Sequence, residues 1–157
     1  MLTLVQSVAT VLLASLAAQD LRDRRLSNRV VFGVAALYFV AAALARDGFA
    51  SLAAHVATGA AMLLLFGGMR HAGWIGGGDV KLAAAVFLWA GPALMFPVLT
   101  GVGAGGILCG LALLASRRRR AAPVRAIAAR GVPYGVALAL GGTLAVWASF
   151  PHTVSLT

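Results

Sequence analysis

The sequence predicts an all-α polytopic membrane protein, a bundle of six transmembrane helices with the N-terminus outside. Two observations carry that prediction. Of 157 residues, 61% are hydrophobic and only 11% are charged, a balance that no ordinary soluble domain keeps. The apolar residues are also gathered into runs of roughly 16 to 21, long enough to cross a bilayer with some tilt. Short basic loops separate these runs. No repeat, low-complexity linker or shift of composition divides the chain, so residues 1–157 are expected to form a single transmembrane domain.

The first predicted helix covers residues 2–19. It ends in small residues, as a cleavable signal does, but it lacks the basic leading region of one and is kept as a span. The second and third cover 30–45 and 49–69. Residues 80–115 are too many for one crossing, and Gly91-Pro92 with Pro97 breaks them, because proline removes a backbone donor and ends a helix. A tight hairpin of a fourth and a fifth helix is expected there. The fifth carries Gly101, Gly103, Gly105 and Gly106, which suit close packing between helices in lipid. The sixth helix covers 133–150. The single cysteine, Cys109, excludes a disulfide within the chain and is read as a small packing residue.

Orientation follows from the basic residues, which stay cytoplasmic in short loops. With the N-terminus outside, all thirteen Lys and Arg except Arg46 fall inside. They are Arg22, Arg24, Arg25 and Arg29 after helix one, Arg70 and Lys81 around the third connection, and six arginines from Arg117 to Arg130 in the fifth. Trp74 then sits at the inner boundary as an interfacial anchor, with Trp89 and Trp147 near the outer one. In a soluble chain a net charge of +9 would suggest a nucleic-acid partner. Here the basic residues lie in loops, where they orient the helices and meet anionic membrane lipids, and nucleic acid is not expected. The arginine-rich segment 116–131 is read as such a topological anchor.

The carboxylates narrow the chemistry. There is no Glu, and the acidic residues are Asp20, Asp23, Asp47 and Asp79. An aspartate at the bilayer centre costs about 2.5–3.5 kcal/mol on insertion scales, so a membrane helix keeps one where it has a use or a partner. Asp20 closes the first predicted helix and Asp79 opens the fourth. The topology derived from the arginines puts both on the cytoplasmic side at similar depth. Two carboxylates meeting there can share a proton and hold a water between them, the arrangement of aspartic proteolysis. Structural roles are open as well. Asp79 follows three glycines where an N-cap belongs, and Asp20 can pair with Arg24 one turn later. Asp23 reads as a solvated loop charge, and Asp47 lies at the opposite face. His55, His71 and His152 do not cluster as metal ligands do, so no metal is expected.

The segment Asp20-Leu21-Arg22-Asp23-Arg24-Arg25-Leu26-Ser27-Asn28 and the segment Gly76-Gly77-Gly78-Asp79-Val80-Lys81-Leu82 together resemble the type IV prepilin peptidase family. The second is its G-x-G-D motif. The stretch Val132-Pro133-Tyr134-Gly135-Val136-Ala137-Leu138 is similar to a further recurring segment of that family. The resemblance implies an intramembrane aspartic endopeptidase with Asp20 and Asp79 as its catalytic pair. Gly76 and Gly78 match the motif glycines, and Lys81 and Asn28 match supporting positions beside the first basic loop. It implies no cofactor. Its substrate would be a prepilin or pseudopilin, cut at the cytoplasmic face of a bacterial or archaeal cytoplasmic membrane. Ser27 departs from the family, which usually has proline before the asparagine. Larger members carry a cysteine-bearing N-terminal region and an associated N-methyltransferase activity. This chain looks like the short, peptidase-only branch of tight-adherence (Flp-type) pili, and methylation is not expected.

Two other classes compete. An ion-coupled transporter also needs membrane carboxylates, but near the midplane and commonly with an inverted repeat. A non-catalytic membrane scaffold would suit the glycine-rich surfaces and leave both aspartates unexplained.

Overall fold

The computed structural model describes residues 1–118 and 134–150. These residues form helices: α1 (Leu2–Asp23), α2 (Asn28–Ala45), α3 (Phe49–His71), α4 (Gly77–Arg118) and α5 (Tyr134–Ala148). The chain is an all-α membrane protein. α1, α2, α3 and residues 77–108 of α4 are long and apolar enough to cross a membrane, while α5 is a shorter apolar helix. Most of the arginine-rich segment, Pro133 at the expected start of the last helix, and His152 lie outside the described residues.

Two helix ends differ from expectation in ways that matter for the site. α1 continues past Gln19 to Asp23, so Asp20 lies inside its last turn. The helix stops at Arg24, which takes the left-handed conformation (φ 52°, ψ 31°) and returns its N–H to the Asp20 carbonyl, a common helix terminus. α4 begins at Gly77, three residues earlier than the expected 80, and so takes Asp79 into its first turn.

The expected hairpin takes the form of one sharply bent element. Within α4, Gly91 has φ 59° and ψ −172°, a region open essentially only to glycine. Gly91 also lies flat against the His55 ring, where any side chain would collide. Contacts with α5 give the direction of each limb. In the first, Val86 lies at Gly142 and Trp89 takes a hydrogen bond on its carbonyl from Ser149 Oγ. In the second, Val98 and Val102 lie at Gly141 and Gly105 lies at Ala137. The first limb therefore runs parallel to α5 and the second runs back along it. Of the four glycines expected to pack, Gly105 and Gly106 meet α5, whereas Gly101 and Gly103 face open space.

α4 is central and packs on α2, α3 and α5, while α1 packs on α2 and α5. Far from the site, the core is built on aromatic rings and a few buried polar groups. Trp89 corrects an expectation: it is no interfacial anchor but fully buried, at 0% exposure. Its indole N–H donates to the Val34 carbonyl at 2.9 Å, and Tyr38 and Phe150 meet its ring edge-on. Burial is acceptable because the one polar atom of the ring has found a partner. Gln6 is also buried and donates to the Val146 and Phe150 carbonyls at the end of α5. His55 is stacked on Tyr38, with Nδ1 2.9 Å from the Leu88 carbonyl oxygen, a structural position. Trp74 is exposed, at 75%, and the partly exposed Trp147 donates to Thr10 Oγ1.

Candidate active site

Helix ends converge to build one cleft of about 540 Å³. The end of α1 supplies Asp20, the start of α4 supplies Asp79 with Gly76, Gly77 and Gly78, and the start of α2 supplies Asn28. Arg24 and Arg25 from the first loop, Arg70 from the end of α3, and Lys81 complete the lining. Asp20 and Asp79 are near enough for their charges to interact. A polar cleft with two carboxylates at the ends of apolar helices is an unusual place to leave charge.

Each carboxylate is held by backbone. Asp20 is buried, at 6% exposure, and its Oδ2 accepts the Gly135 N–H at 2.9 Å, with the Val136 N–H also directed at it. Both donors belong to the first described turn of α5, and backbone N–H groups directed at a carboxylate favour its negative charge. The expected pairing with Arg24 is thus electrostatic only in part: the Arg24 charge acts on Asp20, but α5 fixes the carboxylate. Gly135 can come this close because it lacks a side chain, since a Cβ there would stand 2.8 Å from Asp20 Cγ.

Asp79 is half-buried and is not the N-cap residue. It occupies the third position of α4 and turns its carboxylate back to the Gly76 N–H, the return half of a capping box. A Cβ on Gly76 would stand 2.9 Å from Asp79 Oδ2, so this glycine leaves the carboxylate its space. Gly78 serves another contact: its bare Cα faces Leu26 in the first loop, 3.0 Å from where a Cβ would be. Gly77 is covered by the Arg70 guanidinium.

Lys81 and Asn28 also meet, with Lys81 Nζ donating to Asn28 Oδ1 at 3.0 Å. That bond ties the start of α2 to the first turns of α4 at the edge of the cleft. Asp23 is exposed, and Asp47 sits at the α2–α3 link, where Ser51 Oγ donates to it. All six residues singled out in the sequence therefore line one cleft. Three were missed: Gly135 and Val136, which hold Asp20, and Arg70. The similarity of residues 132–138 to a recurring family segment was the available signal for the first two, whereas nothing local marks Arg70.

Two carboxylates whose charges interact across one polar cleft are suited to sharing a proton. Among the described residues, no group of three or more His, Cys or Asp side chains gathers as metal ligands would. Comparison with curated proteins and with solved structures gave no match. The sequence profile of the type IV leader peptidase family matches residues 7–114, a stretch that takes in both aspartates, the glycine turn and the Lys81–Asn28 contact. With most of its length matched, and the two carboxylates of that stretch brought to one cleft, this chain belongs to the type IV leader peptidase family.

Proposed function

We propose that the chain is a membrane-embedded aspartic endopeptidase that removes the leader from type IV prepilins or pseudopilins of the Flp type. Asp20 and Asp79 are its catalytic pair, acting at the cytoplasmic face of a bacterial or archaeal cytoplasmic membrane. The convergence of these two carboxylates from separate helices carries the proposal. One carboxylate, ionised, takes a proton from the water between them, and the other, protonated, donates to the carbonyl oxygen of the scissile bond. Water oxygen bonds to the carbonyl carbon to give a gem-diol; as the C–N bond breaks, the carboxyl that took the water proton gives it to the leaving nitrogen, and a diol hydroxyl returns a proton to the other carboxylate, so the pair again holds one proton. Asp20, held by two backbone donors, is the better placed to carry the negative charge at rest.

The proposal includes six crossings, the two limbs of α4 counted separately, with the N-terminus outside. That orientation puts the aspartate cleft among the basic loops on the cytoplasmic side, beside anionic lipid headgroups. The whole chain acts as one domain, without a cofactor and without nucleic acid. Co-expression with a precursor carrying a basic leader ahead of an apolar helix tests it. The wild type shortens the precursor, and a well-inserted Asp79→Asn variant leaves it intact. Normal processing by that variant would overturn the assignment. Labelling of cysteines introduced at Trp74 and Phe49, in a Cys109→Ala background, is expected from the cytoplasmic and outer sides respectively.

A further inference from the structure

α2 and α3 are joined by residues 46–48 and by the Tyr38–His55 stack, and their backbones otherwise approach each other little. Beside that stack the face of α4 between them opens sideways as an apolar groove of about 680 Å³. Its lining includes the small residues Ala35, Ala60, Ala84 and Ala85, beside the larger Phe32 and Leu63. In lipid there is no water to expel between helices, so association depends on close contact, and small residues provide the surface for it. Phe32, at 76% exposure, borders the opening without a described neighbour covering it. An apolar cavity of about 150 Å³ takes one benzene-sized group, so the groove has space for roughly four, which is one face of a helix.

The groove does not end blindly. Asn28, Leu63 and Lys81 line both it and the aspartate cleft, and the Lys81–Asn28 hydrogen bond forms the sill between the two. A chain lying in the groove passes that sill and reaches Asp20 and Asp79 directly. A lipid tail would match the apolar lining alone. The continuity with a polar cleft matches a chain that is apolar on one side of the cleaved bond and polar on the other.

We infer that this groove holds the apolar helix of the precursor, seated between α2 and α3 against α4, while its polar end crosses the Lys81–Asn28 sill into the aspartate cleft. The inference rests on the peptidase proposal and adds the place where the substrate helix docks, in the helix-in-groove mode. It is tested in membranes that hold the full chain and a co-expressed precursor with a basic leader and an apolar helix. A photo-activated cross-linker at Ala60 is expected to capture the apolar segment of the precursor. The same group at Leu64, on the lipid side of α3 with 77% exposure, is expected to capture it at least tenfold less. Equal capture from both positions, or capture of lipid alone at Ala60, overturns the inference. Filling the groove with Ala60→Phe and Ala84→Leu together should slow processing at least tenfold, with Leu64→Phe as the matched control. Normal processing by the filled variant overturns the groove and leaves the peptidase proposal standing. If the wild type itself leaves the precursor intact, the peptidase proposal fails while the cross-link still decides the groove.

Discussion

The Asp20 carboxylate accepts the backbone N–H of Gly135 at 2.9 Å across 115 residues of chain. The end of the first helix is thereby joined to the start of the last. Asp20 accepts from the first described turn of α5 in the manner of a cap supplied by another helix. The same bond fixes the carboxylate at the cleft that also holds Asp79. On the proposed assignment, structural and chemical roles coincide in this one side chain, and variants must separate them.

Gly135→Ala makes that separation. A Cβ at Gly135 would press on Asp20 at 2.8 Å, and Asp20 is too short to yield without losing its backbone bond. Every ionisable group is kept. Displacement of a reacting group by about 1 Å costs on the order of 10²-fold in rate, so processing should fall by about that much while membrane insertion persists. A time course of precursor shortening, with the amount of inserted protein measured alongside, checks it. An alanine variant as fast as wild type would mean that Asp20 does not need α5 for its position.

Asp20→Asn and Asp79→Asn should each lower processing by at least about 10²-fold, the lower range of general acid–base contributions. The double variant should be little worse than either single one, because the two groups act as a unit. Asp47→Asn, at an exposed residue outside the cleft that accepts a hydrogen bond from Ser51, should process at the wild-type rate. Single-turnover assays with detergent-purified protein decide between these outcomes. Additive losses at Asp20 and Asp79 would argue for two independent structural roles.

The helices and the meeting of the aspartates were legible because hydropathy sets the spans, and alternating spans bring the end of the first helix and the start of the fourth to the same end of the bundle. Which face of a span is buried was not legible. In lipid the interior and the exterior of a bundle are both apolar, so the pattern that separates core from surface in water carries little information. Trp89 shows this, since an indole near a predicted boundary reads as an anchor until its N–H is found on the Val34 carbonyl. Gly101 and Gly105 read alike for the same reason, although only Gly105 meets α5. The role of Gly135 was hidden differently. Its function is an absence of volume beside a residue far away in sequence, and no local pattern encodes that.

Gly91→Ala tests the bend that gives α4 its two limbs. At φ 59° and ψ −172° an alanine is strained by about 1–3 kcal/mol, and its methyl group would also collide with the His55 ring. The variant should melt at lower temperature in detergent than wild type. Adding His55→Ala should restore part of the loss by removing the collision, leaving the backbone strain. A double variant that melts no higher than Gly91→Ala would show that the ring collision contributes nothing to the penalty.

Lys81 and Asn28 join the start of α2 to α4 where the apolar groove meets the aspartate cleft. The pair is exposed, so its bond is worth about 0.5–1.5 kcal/mol, enough for a change of roughly two- to tenfold in kcat/KM. Lys81→Met keeps the length of the side chain and removes the donor, and Asn28→Ala removes the acceptor. Each should lower kcat/KM within that range, and the double variant should lose no more than the worse single one, because both remove one interaction. If the pair serves as a sill over which the substrate passes, the loss lies in KM, since neither group belongs to the proposed carboxylate pair. A loss confined to kcat would instead place the Lys81 charge in the proton transfer itself, and steady-state rates over a range of precursor concentrations distinguish the two.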